Sequence, residues 1–423
     1  MTRIVLACWG SYGDLFPYLG IAAELKARGH TPAVATCPLY RELIETAGLD
    51  FQPVRPDLDP LDTGLITRVM DPARGSEVVV REMLVPHLQE SYDDLVEATR
   101  GADLLVSHPV TFAAPIVATE RGLPWLASAL SPVSFFSVYD FPVLPPYEAL
   151  GALTRRSRLA ARAFLALAKR ATAPWTAPVR AFRAQHGLRD EHLGDPLYQG
   201  QFSPHGTLAL FSPIFGPPQP DWPALTTATG FVFYNRPIAM PDRLADFLAA
   251  GTPPIVFTLG SSAVGAPGAF YQESVKAAAA LGRRAVLLVG RYAPALTQAG
   301  VPDDMLVVDV APHDAVFPHA AVTVHHGGIG TTGQALRAGQ PTLVVPHAHD
   351  QPDNAARVTR LGVGRTLDAR HYDAERATRA LDHLLNERSY AERAADVGRA
   401  LRTERGAATA CDAIERVAAG RVG

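Results

Sequence analysis

Residues 306–354, LVVDVAPHDAVFPHAAVTVHHGGIGTTGQALRAGQPTLVVPHAHDQPDN, constrain the fold more than any other stretch of the chain. Two β-branched runs, VTV at 322–324 and TLVV at 342–345, flank a helical pattern that begins near Thr331, and the order strand, helix, strand belongs to the α/β class. The turn between first strand and helix is His325-His326-Gly327-Gly328-Ile329-Gly330-Thr331-Thr332. Its glycines let the backbone approach a ligand or take positive φ, and the helix start offers unpaired N–H groups carrying about half a unit of positive charge. Phosphate suits such a turn, although a plain tight connection has the same composition. After the second strand, Asp350 and Gln351 put an acceptor and an amide at the carboxyl end of a neighbouring strand, where open α/β sheets bind small molecules. A helix cap with its neighbour is the structural alternative for that pair.

A chain of 423 residues is too long for one ordinary core and implies two domains of about 200 residues. Hydrophobic residues make up 48% and charged residues 19%, as in a globular enzyme, and a net charge of -3 gives no reason to expect a nucleic-acid partner. Cys8, Cys37 and Cys411 are widely spaced, without a metal-ligand pattern, so neither a disulfide framework nor a metal site is expected. The opening, MTRIVLACWGSYGD, reads as a first strand ending in a glycine turn, not as a leader, and no apolar run reaches the roughly 18 residues of a membrane span. A cytoplasmic protein is expected.

The chain then reads in order. A buried strand at 3–8, the turn 10–14, a helix at 15–28 closed by Gly29 and a strand at 31–36 form a β-α-β opening without GxGxxG, so no nicotinamide or flavin cofactor is expected. Strands at 104–107, 124–129 and 207–211 extend a doubly wound sheet and make residues 1–215 one domain. Within it, 131–147 carries Phe135, Phe136, Tyr139 and Phe141 among prolines, and 155–170 is a helical pattern rich in arginine, alanine and leucine. An aromatic loop inserted into a regular sheet commonly walls a substrate pocket. The basic amphipathic stretch at 155–170 is either a solvated helix face or a peripheral contact with an anionic membrane. The proline-dense stretch that begins SPIFGPPQPDWP places a linker at 216–240. A second domain, 241–388, repeats the entry with a strand at 255–259 and the turn Gly260-Ser261-Ser262, followed by strands at 285–289, 305–310, 322–324 and 342–345. Residues 389–423 are expected as a final helix packing back on the first domain.

The GS-x-GD turn at 10–14, the FTLGS turn at 257–261, the HHGGIGTT turn and the segment HDQPDNA at 349–355 together resemble family 1 glycosyltransferases, most closely bacterial rhamnosyltransferases of rhamnolipid synthesis and the sterol and glycopeptide glucosyltransferases. The resemblance runs along almost the whole chain. It implies the GT-B fold, two doubly wound Rossmann-like domains facing across a cleft, with acceptor binding in the first and donor binding in the second. It implies an inverting, metal-independent transfer of a hexose or deoxyhexose from a UDP or dTDP sugar, a co-substrate and not a cofactor, to a hydroxyl of a hydrophobic acceptor such as a hydroxy fatty acid, polyketide, flavonoid or sterol. Donor-site residues carried over are Gly13, Ser261, Ser262, Arg291, Val310, His313, His325, Gly327, Gly330, Thr331, Asp350 and Gln351. Phe135, Phe136, Tyr139 and Phe141 are the candidate acceptor contacts.

Asp14 stands where bacterial members have the presumed base. With an ordinary pKa near 3.9 it takes the acceptor proton only as the new bond forms, and an N-cap role for the following helix is the alternative. His108, after the strand at 104–107, is a second candidate base or an orienting partner, though a lone histidine at a strand end is ordinarily structural. The chain departs from plant members by having Val310 where they have a tryptophan on the base and Gly333 where they have a ribose-binding glutamate, which leaves room for a deoxythymidine donor. Two other functions fit the architecture: a nucleotide-sugar 2-epimerase, which needs further carboxylates and no aromatic acceptor wall, and a non-catalytic nucleotide-sugar binding protein, which needs no Asp14.

Overall fold

The computed structural model describes residues 1–420 apart from 58, 60–61, 146, 148–149, 189–192, 237, 291–295 and 297–299. Two all-parallel sheets organise it. The first has the order β3-β2-β1-β4-β5-β6-β7, built from β1 (Arg3–Ala7), β2 (Thr31–Thr36), β3 (Asp50–Pro53), β4 (Leu104–Ser107), β5 (Trp125–Ala129), β6 (Thr207–Ala209) and β7 (Thr226–Ala228). The second has the order β10-β9-β8-β11-β12-β13, built from β8 (Ile255–Thr258), β9 (Ala285–Leu288), β10 (Met305–Val308), β11 (Val322–His325), β12 (Thr342–Val344) and β13 (Gly364–Thr366). Every residue of β4, β5, β8, β9 and β11 is buried, which is what continuous apolar runs covered by helices on both faces produce.

Strand order reverses once in each sheet, between β1 and β4 and between β8 and β11. Such a switch point opens a crevice at the carboxyl ends of the two strands, because their helices leave to opposite faces. The turns singled out in the sequence fall at these two crevices: 10–14 and His108 in the first sheet, 260–262 and 325–331 in the second.

Three strands lie outside the sequence expectations: β3, β7 and β13, each at a sheet edge. β7 sits inside the stretch expected as linker, so the first sheet continues beyond residue 215. The expected C-terminal helix is two helices. The helix α1 (Tyr12–Ala27) opens the first sheet's layer, whereas α2 (Ile329–Ala338) and α3 (Gln351–Leu361) follow β11 and β12 in the second. Of the C-terminal pair, α4 (Arg388–Leu401) lies along α2 and α5 (Gly406–Ala418) along α1. Between them Glu404 accepts from the Ser212 hydroxyl at 2.6 Å and from Phe231 N–H at 3.2 Å, which redirects the chain from the second unit to the first. There Arg28 pairs with Asp412 at 2.6 Å and Glu415 at 3.0 Å, and Ile414 is fully buried.

Candidate active site

The first crevice is built around Ser11. It caps α1 by accepting from Gly13 N–H at 3.2 Å, while Asp14 at the third helical position takes the Ser11 N–H at 2.7 Å and the Ser11 hydroxyl at 3.1 Å on Oδ2. This is a capping box, and it corrects the alternative N-cap role for Asp14 and the expected helix start at residue 15: the cap is Ser11 and the helix starts three residues earlier. Gly10, at φ 138°, is required here, since a Cβ would lie 2.3 Å from Asp14 Oδ2. Oδ1 faces His108 Nε2 at 3.4 Å. His108 Nδ1 accepts from Val110 N–H at 3.3 Å, so the ring proton sits on Nε2 and points at the carboxylate. Burial raises the Asp14 pKa, but the His108 and Ser11 donors outweigh it and hold the carboxyl below its ordinary value.

In the second crevice His325 ends β11. Its Nδ1 accepts from Gly327 N–H at 3.0 Å, which leaves the proton on Nε2, enclosed and without a partner among the described residues. Burial pushes its pKa down to about 3, so the ring is neutral. His326, absent from the sequence reading of the site, is lodged between two turns: a Cβ on Gly260 or on Gly328 would come within 2.4 Å of its ring, and its Nε2 lies 3.2 Å from Ser262 Oγ. Thus the 260–262 turn is fastened to the 325–331 turn, with Ser261 beside it exposed. Gly328 caps α2, and Thr332 N–H already bonds to Gly328 C=O at 2.9 Å. The N–H groups of Ile329, Gly330 and Thr331 therefore remain without helix partners. A Cβ on Gly330 would be 3.5 Å from Gly13 Cα, so the two crevices meet at their turns.

Around this centre, Gln351 accepts on Oε1 from His347 N–H at 2.8 Å and Ala348 N–H at 3.1 Å, which shapes the 346–350 turn and leaves its NH₂ as a donor. Asp350 accepts from Asn354 Nδ2 at 2.7 Å. Burial raises the Asp350 pKa, Asn354 opposes this and the Asp14 charge adds to it, with the result at about 7; the carboxyls of the two crevices feel each other. Gly327, at φ 91°, packs on Val344. His313 stacks on Phe317 with centroids 4.5 Å apart, and its pKa is pushed by burial to about 4. Val310 is half exposed beside it. Arg291 lies outside the described residues.

The Erythromycin biosynthesis protein CIII-like, C-terminal domain family matches residues 276–410, and the Glycosyltransferase family 28 N-terminal domain matches 4–101. O-mycaminosyltylonolide 6-deoxyallosyltransferase of Streptomyces fradiae is 34% identical over 98% of this chain and 97% of its own. The chain is a family 1 glycosyltransferase of GT-B fold. In fold this glycosyltransferase is similar to the glycotransferase of kitacinnamycin, with a TM-score of 0.75 at 24% identity over 100% of this chain and 99% of that one. It is also similar to VinC in complex with DTDP, with a TM-score of 0.68 at 22% identity over 99% and 100%.

On the first sheet's side, the glycosyltransferase departs from the expected aromatic wall. Phe135 is buried, stacked on Trp222 at 4.2 Å and on Phe202 at 5.6 Å, inside the cluster that joins the two sheets. Its proline- and aromatic-rich context reads equally as wall or as packing, and packing won because three other rings surround it. Phe141 is also buried, edge-on to Phe164 at 5.6 Å. Phe136 rests against Tyr198 at 4.8 Å, and Tyr139 is 42% exposed under the Arg158 guanidinium. An apolar pocket that the sequence reading missed lies at the carboxyl ends of β1, β3 and β4, next to His108, and is lined by Trp9, Val54, Leu84, Leu88, Val110 and Phe112. Its one legible signal was Trp9 and Phe112 standing just beyond strands that lead into the crevice.

Proposed function

We propose that this glycosyltransferase moves a sugar, with inversion, from a nucleoside diphosphate to a hydroxyl of an apolar small molecule that enters the cleft on the first sheet's side. The observation that carries the reading is the approach of the crevices: the helix that carries Gly13 and Asp14 packs beside the N–H-rich start of α2, so close that a Cβ on Gly330 would lie 3.5 Å from Gly13 Cα. The diphosphate lies against the N–H groups of Gly330 and Thr331, the His325 Nε2–H and the 261–262 hydroxyls, which offset the charge that builds on the leaving phosphate. Asp350 and Gln351 hold the sugar hydroxyls, while Val310 and His313 flank the base. The acceptor oxygen attacks the anomeric carbon from the side opposite the diphosphate and passes its proton to Asp14 Oδ1 as the bond forms. With Nδ1 accepting from Val110 N–H and Nε2 turned to Asp14 Oδ1, His108 is set to orient Asp14 and is not itself the base.

A deoxythymidine donor is favoured. A side chain at Gly333, where plant members place the ribose carboxylate, would meet the Phe231 ring at 3.1 Å and have to push it aside. VinC, similar in fold, is a complex with DTDP. The test is turnover of dTDP-glucose and UDP-glucose with a panel of hydroxylated polyketides and sterols, reading the product anomer by NMR. Transfer with retention would refute the mechanism, and a preference for UDP-glucose would refute the donor assignment.

No described helix is long and apolar enough to cross a membrane. The segment 151–172 nevertheless has six Arg or Lys and no acid, and exposes Leu159 at 76% and Leu167 at 68% on the helix Arg158–Thr172. Leucines interleaved with snorkelling arginines suit the surface of an anionic bilayer. Sedimentation with phosphatidylglycerol vesicles but not with phosphatidylcholine vesicles supports that contact, and equal behaviour with both rules it out.

A further inference from the structure

Asn354 is fully buried on α3, one turn after Asp350, and three of the four hydrogen-bonding positions of its amide are occupied. Nδ2 donates to Asp350 Oδ2 at 2.7 Å and to the Gly327 carbonyl at 2.9 Å, and Oδ1 accepts from the Ser131 hydroxyl at 3.0 Å. These partners belong to three different places: the proposed sugar-binding carboxylate, the turn after β11, and the loop that leaves β5 in the first sheet. An amide has a single orientation that satisfies two acceptors on one side and a donor on the other, so the three bonds fix one another.

The contact with the first sheet is not isolated. On the same helix, Asp353 Oδ1 accepts from Val143 N–H at 3.0 Å and its Oδ2 from Arg357 Nε at 2.7 Å. Arg357, 1% exposed, reaches Asp140 Oδ2 at 2.6 Å, and Arg360 reaches Asp140 Oδ1 at 2.8 Å. One face of α3 thus holds the 131–143 loop at Ser131, Asp140 and Val143, while the start of the helix carries Asp350 and Gln351.

We propose that Asn354 is a positioning residue that aims Asp350 at the donor sugar, and that Ser131 makes this aim depend on the first sheet being in place. The inference rests on the reading of Asp350 as a sugar contact. Asn354 holds Oδ2 and so limits how the carboxylate can turn, which leaves Oδ1 for the sugar. Without Ser131 the amide loses the acceptor-side bond that sets its orientation, so sugar recognition is strongest when the two sheets are joined.

The test compares binding of thymidine diphosphate and of dTDP-glucose by calorimetry in wild type, Asp350→Ala, Asn354→Ala, their double variant, Ser131→Ala and Asn354→Asp. Thymidine diphosphate should bind all six alike. dTDP-glucose should weaken about tenfold or more in Asp350→Ala and in Asn354→Ala, the scale of a lost hydrogen bond to a charged group, with the double variant no worse than the worse single one. Ser131→Ala should weaken dTDP-glucose by a few-fold. Asn354→Asp keeps the shape, so it guards against a folding defect in the alanine variant: its two carboxyls share a proton near pH 5 and repel near pH 8, so dTDP-glucose affinity should fall as pH rises while thymidine diphosphate affinity does not. Wild-type dTDP-glucose affinity in Asn354→Ala beside a weakened Asp350→Ala would overturn the proposal and leave the Asp350 reading standing. Wild-type affinity in Asp350→Ala would sink that reading and the proposal with it, and an unchanged Ser131→Ala would remove the link to the first sheet.

Discussion

In the proposed mechanism Asp14 serves local structure and chemistry together: Oδ2 closes the capping box with Ser11, and Oδ1, which faces His108, takes the acceptor proton. Asp14→Asn keeps an acceptor for Ser11, so its melting temperature should move little while kcat falls by about 10²-fold, the usual scale for a positioned base. A kcat within about threefold of wild type, under roughly 1 kcal/mol in barrier, would exclude Asp14 as the base. His325 sits deeper than its place on a turn suggests, so the informative variant is His325→Asn, whose Oδ1 can take over the Gly327 N–H. It should fold and bind nucleoside diphosphate about tenfold more weakly, the scale of one charge-assisted hydrogen bond, and unchanged affinity by calorimetry would remove His325 from the site. The buried histidines also set a pH dependence. His313 and His325 have folded pKa values of about 4 and about 3, below the free value, so their contribution to stability is complete above pH 6.5 and is lost as pH falls toward 4. Asp350 works the other way: with a folded pKa of about 7, its contribution is complete below about pH 4 and lost as pH rises through 7. Acidification from pH 7.5 to 5 should therefore lower the melting temperature, and lower it more in Asp350→Asn, which lacks the offsetting term; an equal drop in both would contradict the raised Asp350 pKa.

Helices and strands were legible in proportion to how they are covered. The central strands read as continuous apolar runs because both faces are buried, whereas β3, β7 and β13 were missed because each is an edge strand with solvent on part of its surface, as in Gly364–Thr366, where Arg365 and Thr366 are exposed. By local propensity α4 and α5 run together, since Thr403 and Glu404 carry no strong breaker; the bonds that Glu404 accepts from Ser212 and Phe231, which turn the chain, are tertiary. Because α5 crosses back to lie on α1, its apolar face belongs to the first unit's core. Ile414→Ala should cost about 2–4 kcal/mol of stability, read as a lower urea midpoint at unchanged slope. A loss under about 0.5 kcal/mol would mean that this helix adds little to the fold.

At the scale of the whole molecule, the proposed site exists only between the two sheets. In the proposed mechanism the charge on the leaving diphosphate is met by helix N–H groups, histidine N–H and hydroxyls of the second unit, so EDTA should leave transfer unchanged; activity lost in EDTA and restored by magnesium would overturn that account. By itself the sequence determined the two α/β units, the strand ends that carry Asp14, His108, His325 and Asp350, and the family, because these follow from local hydrophobic pattern and from short motifs whose glycines and caps act within a few residues. Tertiary structure decided the rest: that Phe135 is core and Trp9 lines a pocket, that His326 binds Ser262 between two glycines, and that Asn354 joins Ser131, Gly327 and Asp350. Each of these depends on which residues far apart in the chain come within hydrogen-bond or ring-contact distance, and a switch point in one sheet meets its counterpart in the other only after both have folded.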